Sequence, residues 1–402
     1  MKSKDKILGF NKNVFFLGLA SLFTDISSEM IYPLIPIFLT SVLGAPVAIV
    51  GLIEGVAEST ASIIKGFSGW LSDRMRKRKK LIVAGYSLSA LAKPLIAASL
   101  NWWQVLAARF SDRFGKGIRT SPRDALLADS SSKKEYGKSF GFHRAMDTLG
   151  AAIGPLLAFS LLPLLGNNFR LFFSLAFIPA ILGVIILILF VKEKISDTKK
   201  EKPKLSLKPF DKKFKLFLLV VLIFTLGNSS DAFLILRAQN VGISIALIPL
   251  VYFLFNFVYA IASVPVGSLS DKIGRKIVIV FGFIIFSLVY LGFALAKSPL
   301  LIWALFAAYG FYYAFTESIF KAYTADIVPK DLRGTAFGFL NLVLGIALLP
   351  ASFVAGLLWQ KISPQAPFFW GSILSFASLI LFVILIPKDN HRSLVQNSLN
   401  EK

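Results

Sequence analysis

The sequence predicts an all-α integral membrane protein, with twelve transmembrane helices in two pseudo-symmetric six-helix bundles. Three observations carry this reading. Hydrophobic residues make up 55% of the 402 and mean hydropathy is +0.70, with 39 phenylalanines. A soluble fold of this length could not cover so much apolar surface. Apolar stretches of about 20 residues or more recur from Val14 to Pro387, long enough to cross a bilayer as helices and too uniform for alternating barrel strands. Short patterns from the first half also return near one fixed offset in the second.

Taken in order, the first span (14–40) lies between the basic opening KSKDKILGFNK and LGAP, and the second (46–71) runs into DRMRKRKK at 73–80. The third and fourth (81–99, 102–126) are separated by NW, and the fifth and sixth (138–163, 168–191) by GNN. A Lys-rich stretch with two prolines, 192–215, reads as a linker between an N-terminal bundle (1–191) and a C-terminal bundle (216–402). The second half supplies spans 215–238, 244–270, 277–296, 299–325, 335–361 and 366–386, the last two separated by SPQAP.

The net charge of +22 is distributed by side rather than spread evenly. The chain start, 73–80 and 192–215 hold most of the cations, whereas LGAP, NW, GNN and SPQAP hold almost none. This asymmetry places both termini in the cytoplasm, in a multi-pass protein of the inner or plasma membrane. Topology and attraction to anionic headgroups explain the basic loops, so no nucleic-acid partner is expected. The first apolar segment is too long for a cleavable signal and lacks a small-residue cleavage site. There is no cysteine and there are only two histidines, His143 and His391. Thiolate chemistry is excluded, and His-cluster metal sites and His-based triads are disfavoured. No nucleotide-binding GxxxxGK[ST] loop occurs. An enzyme or a primary pump is therefore not expected, and neither is a metal.

GWLSDR at 69–74 returns as GSLSDK at 267–272, Ala128-Asp129 as Ala325-Asp326, and GKSFGF at 137–142 as GTAFGF at 334–339. Over essentially its whole length the chain resembles the major facilitator superfamily of secondary transporters, whose loop signature is Gly-x-Leu-x-Asp-Arg-x-Gly-Arg-Lys. GSLSDKIGRK at 267–276 follows it with Lys272 for the first arginine. The first copy keeps Gly69, Leu71, Asp73 and Arg74 but has Arg76 in place of the turn glycine. The resemblance implies two bundles rocking about a central site. It also implies a gating role for Gly69, Asp73, Arg74, Gly267, Asp271, Gly274 and Arg275, with each signature aspartate capping a helix of the other half. GAAIGP at 150–155 resembles the core of a motif of proton-coupled exporters, although the paired glycines that normally follow are missing. The same small residues at spacing four are ordinary packing contacts between membrane helices.

Charges at membrane depth cost roughly 2.5–3.5 kcal/mol each on insertion scales and point to function. Most lie in the first half. The segment RFSDRFGKGIRTSPRD at 109–124 puts Arg109, Arg113, Lys116, Arg119 and Arg123 on one helical face, with Asp112 and Asp124 on the same side. Asp25 and Glu29 are one turn apart on the first helix, and Glu54, Glu58 and Lys65 share a face of the second. With Lys93, Arg144 and Asp147, this half counts eight intramembrane cations against seven acids. The second half offers Asp231, Arg237, Glu317 and Lys321. The near balance fits a network of buried ion pairs. It also fits a site in which carboxylates take up protons, leaving fixed cations to attract an anion.

On this reading Asp25, Glu29, Glu54 and Glu58 are the proton-coupling candidates. Arg109, Arg113, Lys116, Lys65, Asp147, Asp231 and Glu317 are the substrate-binding candidates, and Arg119 and Arg123 belong to the gate. The expected activity is proton-coupled secondary transport by alternating access, as an exporter of a small anionic organic molecule such as a drug, metabolite or siderophore-like chelate. The alternatives are a proton symporter importing such a molecule, or a lipid flippase or scramblase whose basic stripe holds a headgroup. The proton gradient is the energy source, no cofactor is expected, and the partners are substrate and bilayer, with the chain a monomer.

Overall fold

The structure is a computed structural model that describes residues 6–75, 77–131, 135–193, 206–329 and 332–386. The side chains of Asp73 and Arg74, the surroundings of Gly69, most of the Lys-rich linker and both chain ends lie outside the described residues. A two-residue antiparallel pairing of Lys6–Ile7 with Phe10–Asn11 precedes the first helix. The first six spans are α1 (Lys12–Ile31), α2 (Val47–Met75), α3 (Arg78–Ala98), α4 (Trp102–Asp129), α5 (Tyr136–Leu164) and α6 (Phe169–Leu175 with Phe177–Phe190). The second six are α7 (Lys212–Gly227 with Ala232–Asn240), α8 (Ile248–Ile273), α9 (Arg275–Leu295), α10 (Pro299–Ile327), α11 (Arg333–Lys361) and α12 (Ala366–Leu385).

Among the described residues, eleven spans are long and apolar enough to cross a membrane. The long helix outside that set is α4, whose 28 residues are sufficient in length but carry the charged face. Three expected helices are interrupted, each for a local reason. Past Ile31, α1 continues through a 3-10 turn at Tyr32–Leu34 and a π-turn at Phe38–Val42, because Pro33 and Pro36 lack the N–H a regular ladder needs. In α6 the break at Ala176 precedes Pro179, whose ring collides with the carbonyl four residues earlier. The apolar run 215–238 reads as one helix, but α7 stops at Gly227 and restarts at Ala232, leaving Asn228–Asp231 outside regular helix.

In the first half α1 packs on α5 and α6, and α4 packs on α2 and α3; in the second, α10 packs on α8 and α9, and α12 on α7 and α9. The halves meet where α2 lies along α11 and where α5 crosses α8. At Gly51 and Gly55 the approach is so close that an added Cβ would lie 2.3 Å from the Ser352 carbonyl and 3.0 Å from that of Leu349. The paired glycines of GAAIGP do the same against α1: a Cβ on Gly150 or Gly154 would meet Asp25 or Glu29 at 2.8 Å. This motif therefore seats the two α1 carboxylates.

The loop ends 77–78, 129–131, 192–193 and 273–275 gather at one end of the molecule, called here the basic end. Asn13 bridges Ser130 and the Lys192 carbonyl there, and Arg78 pairs with Asp129. The opposite end is closed by a core running from Ile31 to Leu39, across Phe169–Phe173, to Phe233–Leu236 and Ile248. Toward the basic end the halves separate: a Cβ on Gly66, Gly141, Gly267, Gly334 or Gly338 would meet open space.

Gly274 ends α8 with φ +94°, a conformation that favours glycine. The first copy of the loop has no glycine. Arg78 stands 197 residues before Arg275, whereas Gly69 stands 198 before Gly267, so the first loop is one residue longer. Lys77, the residue before α3, takes an ordinary φ of −128°.

Candidate functional site

A cavity of about 390 Å³ lies between the halves at mid-helix depth. Glu29 of α1, Glu58 of α2, and Arg113 and Lys116 of α4 form one wall. Tyr32 stands between them, with the Arg109 and Arg113 guanidinium groups 5.6 Å and 5.8 Å from its ring centroid. Asn228, Ser229, Ser230 and Asp231 at the α7 break, Tyr252, Phe255, Asn256 and Tyr259 of α8, and Tyr313 and Glu317 of α10 form the facing wall.

The α4 stripe is largely committed to carboxylates. Arg109 binds Glu54 through two hydrogen bonds, 3.0 Å and 2.6 Å, with both side chains at most 2% exposed. Lys93 binds Asp112 at 2.9 Å, and the same carboxylate lies 3.6 Å from Arg109 and 3.8 Å from Arg113. Arg113 reaches Glu58 at 3.1 Å. Lys116 differs: it is exposed to the cavity and has no carboxylate within 4 Å among the described residues. Glu29 is its neighbour on the wall, with one carboxylate oxygen buried and without a hydrogen-bond partner.

Of the substrate-binding candidates, the structure brings Arg113, Lys116, Asp231 and Glu317 to the cavity wall, together with the proton-coupling candidates Glu29 and Glu58. Glu54 and Arg109 are sealed behind Tyr32 as a closed pair, which leaves neither free for ligand. Asp25 lies outside the cavity lining against α5, and Asp147 pairs with His143 at 3.5 Å. Lys65 lies toward the basic end, where its carbonyl accepts from Ser121.

The gating set separates in the same way. Arg119 is buried between α3 and α4, donating to Ser89 at 2.7 Å and stacking 4.2 Å over Tyr86. Arg123 pairs with Asp124 at 3.0 Å and reaches Ser21. These contacts hold helices of one half together. Asp271 pairs with Arg275 of its own loop at 2.6 Å, so in this conformation it does not cap a helix of the other half.

Sequence reasoning overlooked the neutral polar part of the facing wall. The hydroxyls of Tyr309 and Tyr313 donate to Asp231 at 2.7 Å and 3.5 Å, and Asn228 donates to Tyr312 at 2.8 Å. Tyr259 donates to Glu317 at 2.5 Å while accepting from Arg144 of α5 at 3.1 Å, a chain across the two halves. The signals were present as NSSD inside an apolar run and as YGFYYAFTE. Arg237, by contrast, is spent on the carbonyls of Phe293, Ala294 and Ala296 at the end of α9.

The chain matches the Major Facilitator Superfamily over residues 17–236 and again over 216–402. It belongs to that superfamily. Among superfamily relatives it is 41% identical to an uncharacterized MFS-type transporter of Methanocaldococcus jannaschii, over 95% of this chain and 97% of the relative. It is 23% identical to a protein of Lactococcus lactis named as a homolog of the multi-drug resistance efflux pump PmrA, over 94% and 96%. Among solved structures, a POT family transporter in complex with 5-aminolevulinic acid superimposes with a TM-score of 0.79 at 12% identity, covering 95% of this chain and 97% of that one. The molecule is a multi-pass membrane transporter.

Proposed function

We propose that the protein is a proton-coupled secondary transporter that works by alternating access and carries a small organic molecule bearing an anionic group together with protons. The observation that carries this reading is Lys116, a cation with no ion partner within 4 Å among the described residues, exposed in a central cavity beside Glu29 and the Glu58–Arg113 pair. Protonation of Glu29 or Glu58 removes negative charge from that wall and leaves Arg113 and Lys116 to hold an anion. Loss of the protons restores the pairing and expels it. Binding of the anion and of protons then favour each other by linkage.

Export in exchange for protons is the second reading, and two observations favour it. With the basic end in the cytoplasm, the opening lies on the cytoplasmic side, where an exported substrate would load. The Lactococcus lactis relative is named for an efflux pump. No cofactor enters the scheme; the proton gradient supplies the energy, and a single chain contains both halves of the cavity.

The test is flux through proteoliposomes holding the purified protein, with an imposed pH gradient and a panel of labelled organic acids. Substrate should move with the proton flow, and a protonophore should abolish its accumulation. Flux indifferent to the gradient would remove the proton coupling, and movement against the protons would make the protein an exporter and remove the linkage at Glu29 and Glu58.

A further inference from the structure

We infer that the facing wall of the same cavity, around Asp231, is a subsite for an organic cation. The inference rests on the cavity's being the transport site and goes beyond it in substrate chemistry.

Asp231 has a setting unlike that of the other acids of the cavity. Glu58 has Arg113 at 3.1 Å, Glu317 has Lys321 at 4.0 Å, and Glu29 shares its wall with Lys116. Asp231 has no cation within 4 Å among the described residues; its partners there are the hydroxyls of Tyr309 and Tyr313. Neutral donors satisfy lone pairs but leave the charge of a carboxylate uncompensated at membrane depth, which is costly. A cationic group of the substrate would compensate it.

The surroundings fit a cation of a particular kind. Four rings from two helices pack together, the two tyrosines that hold the carboxylate among them: Phe255 lies 5.2 Å from Tyr309 and 5.1 Å from Tyr313, and Tyr252 lies 5.5 Å from Phe255. Aromatic faces are negative and apolar together, so they attract a delocalised or alkylated cation that sheds its water readily. A small hydrated metal ion would gain little from such rings. The placement also has a reason in the chain. The α7 break turns Asp231 into the cavity from a run that is otherwise apolar, and it stands on the half opposite Lys116. A molecule with an anionic and a cationic end would compensate both free charges at once and join the two halves, so the expected substrate is amphoteric.

The experiment is equilibrium binding to the purified full-length chain in detergent. The probe is labelled N-methyl-4-phenylpyridinium, a fixed cation on an aromatic body, and biphenyl-4-carboxylate is the anion of similar shape. Wild type should bind the pyridinium saturably. Asp231→Asn should weaken that binding by at least about tenfold, the loss of a desolvated cation–carboxylate contact. Asp231→Glu should restore it, and Lys116→Gln should weaken the carboxylate without abolishing the pyridinium. If Asp231→Asn does not fold, Tyr252→Leu, which deletes a ring and no charge, should weaken the pyridinium more than the carboxylate. No saturable pyridinium binding by wild type, or equal binding by a folded Asp231→Asn, overturns the subsite. Pyridinium binding without gradient-driven flux in proteoliposomes would leave the subsite standing and remove the transport reading. Flux without pyridinium binding does the reverse.

Discussion

Arg275 donates to Asp326 at 2.9 Å, and the same bracket closes the other half, where Arg78 pairs with Asp129. Both members of the second pair stand 197 residues after their counterparts in the first. Each bracket ties the start of the third helix of a half to the end of its fourth, next to the signature loop. The duplication therefore extends from sequence to a contact, even though the first loop is one residue longer and lacks the turn glycine. Arg275 also holds Ser270 and Asp271, so it links the loop to α10.

If the brackets set loop position rather than bulk stability, Arg275→Gln should lower the melting temperature little. The pair is partly exposed, and such pairs are worth about 1 kcal/mol or less. Transport should nevertheless fall, since the loop loses three contacts together. Melting curves and flux on one preparation separate the two effects. A wild-type rate in the variant would deny the loop its part in gating.

Arg109→Gln should be far more damaging to the fold. It leaves Glu54 buried without a partner, at a cost of about 3–5 kcal/mol. The double variant Arg109→Gln, Glu54→Gln should recover most of the melting temperature. Flux should recover with it, because the pair lies behind Tyr32 and lines no cavity. Recovered stability without recovered flux would return Arg109 to the substrate site.

Lys116→Gln should give the opposite pattern. Its side chain has no ion partner to strand, so the melting temperature should stay close to wild type, while binding of an anionic substrate should drop by about tenfold or more for one lost charge-assisted contact. Isothermal titration of the purified variant with biphenyl-4-carboxylate provides the measurement. Unchanged affinity would leave the Lys116 wall without an anion.

Gly55→Leu should disrupt the seam between α2 and α11. A Cβ there already lies 3.0 Å from the Leu349 carbonyl, and a leucine must push the helices apart, at a typical overpacking cost of about 1–3 kcal/mol. Because the chain has no cysteine, a single reporter cysteine at Leu348 can follow cavity access with an impermeant maleimide. Labelling from the closed end should accelerate in the variant. An unaltered rate would place the seal elsewhere.

Reporter fusions after residues 75, 200 and 395 should read cytoplasm, and fusions near 44 or 166 the outside. A reversed pair would contradict the orientation drawn from the lysine and arginine asymmetry.

Much of this architecture was legible from residues alone because the membrane imposes a simple rule on composition. Hydrocarbon thickness sets the length of each span, and cation asymmetry between linkers points to one orientation. Tandem duplication exposes the halves through GWLSDR and GSLSDK. The charged face of α4 was legible for the same reason: seven ionisable residues at helical spacing stand out against an apolar background.

Only the tertiary structure decided which of those charges are free. Helical spacing puts Arg109, Arg113 and Lys116 on one face, but it cannot say that Glu54 lies opposite the first, Glu58 opposite the second and no carboxylate within 4 Å of the third. That depends on the register between α2 and α4, which is set by packing contacts too dispersed to read in a single chain. The same holds for the facing wall. Asn228–Asp231 looks like a polar interruption of a span, and Tyr252, Phe255, Tyr309 and Tyr313 look like ordinary apolar filling. They become one surface because α7 breaks at Gly227 and because α8 and α10 pack together there. Composition determined that this chain crosses the membrane; the pairing of helices decided which charges are left to meet a ligand.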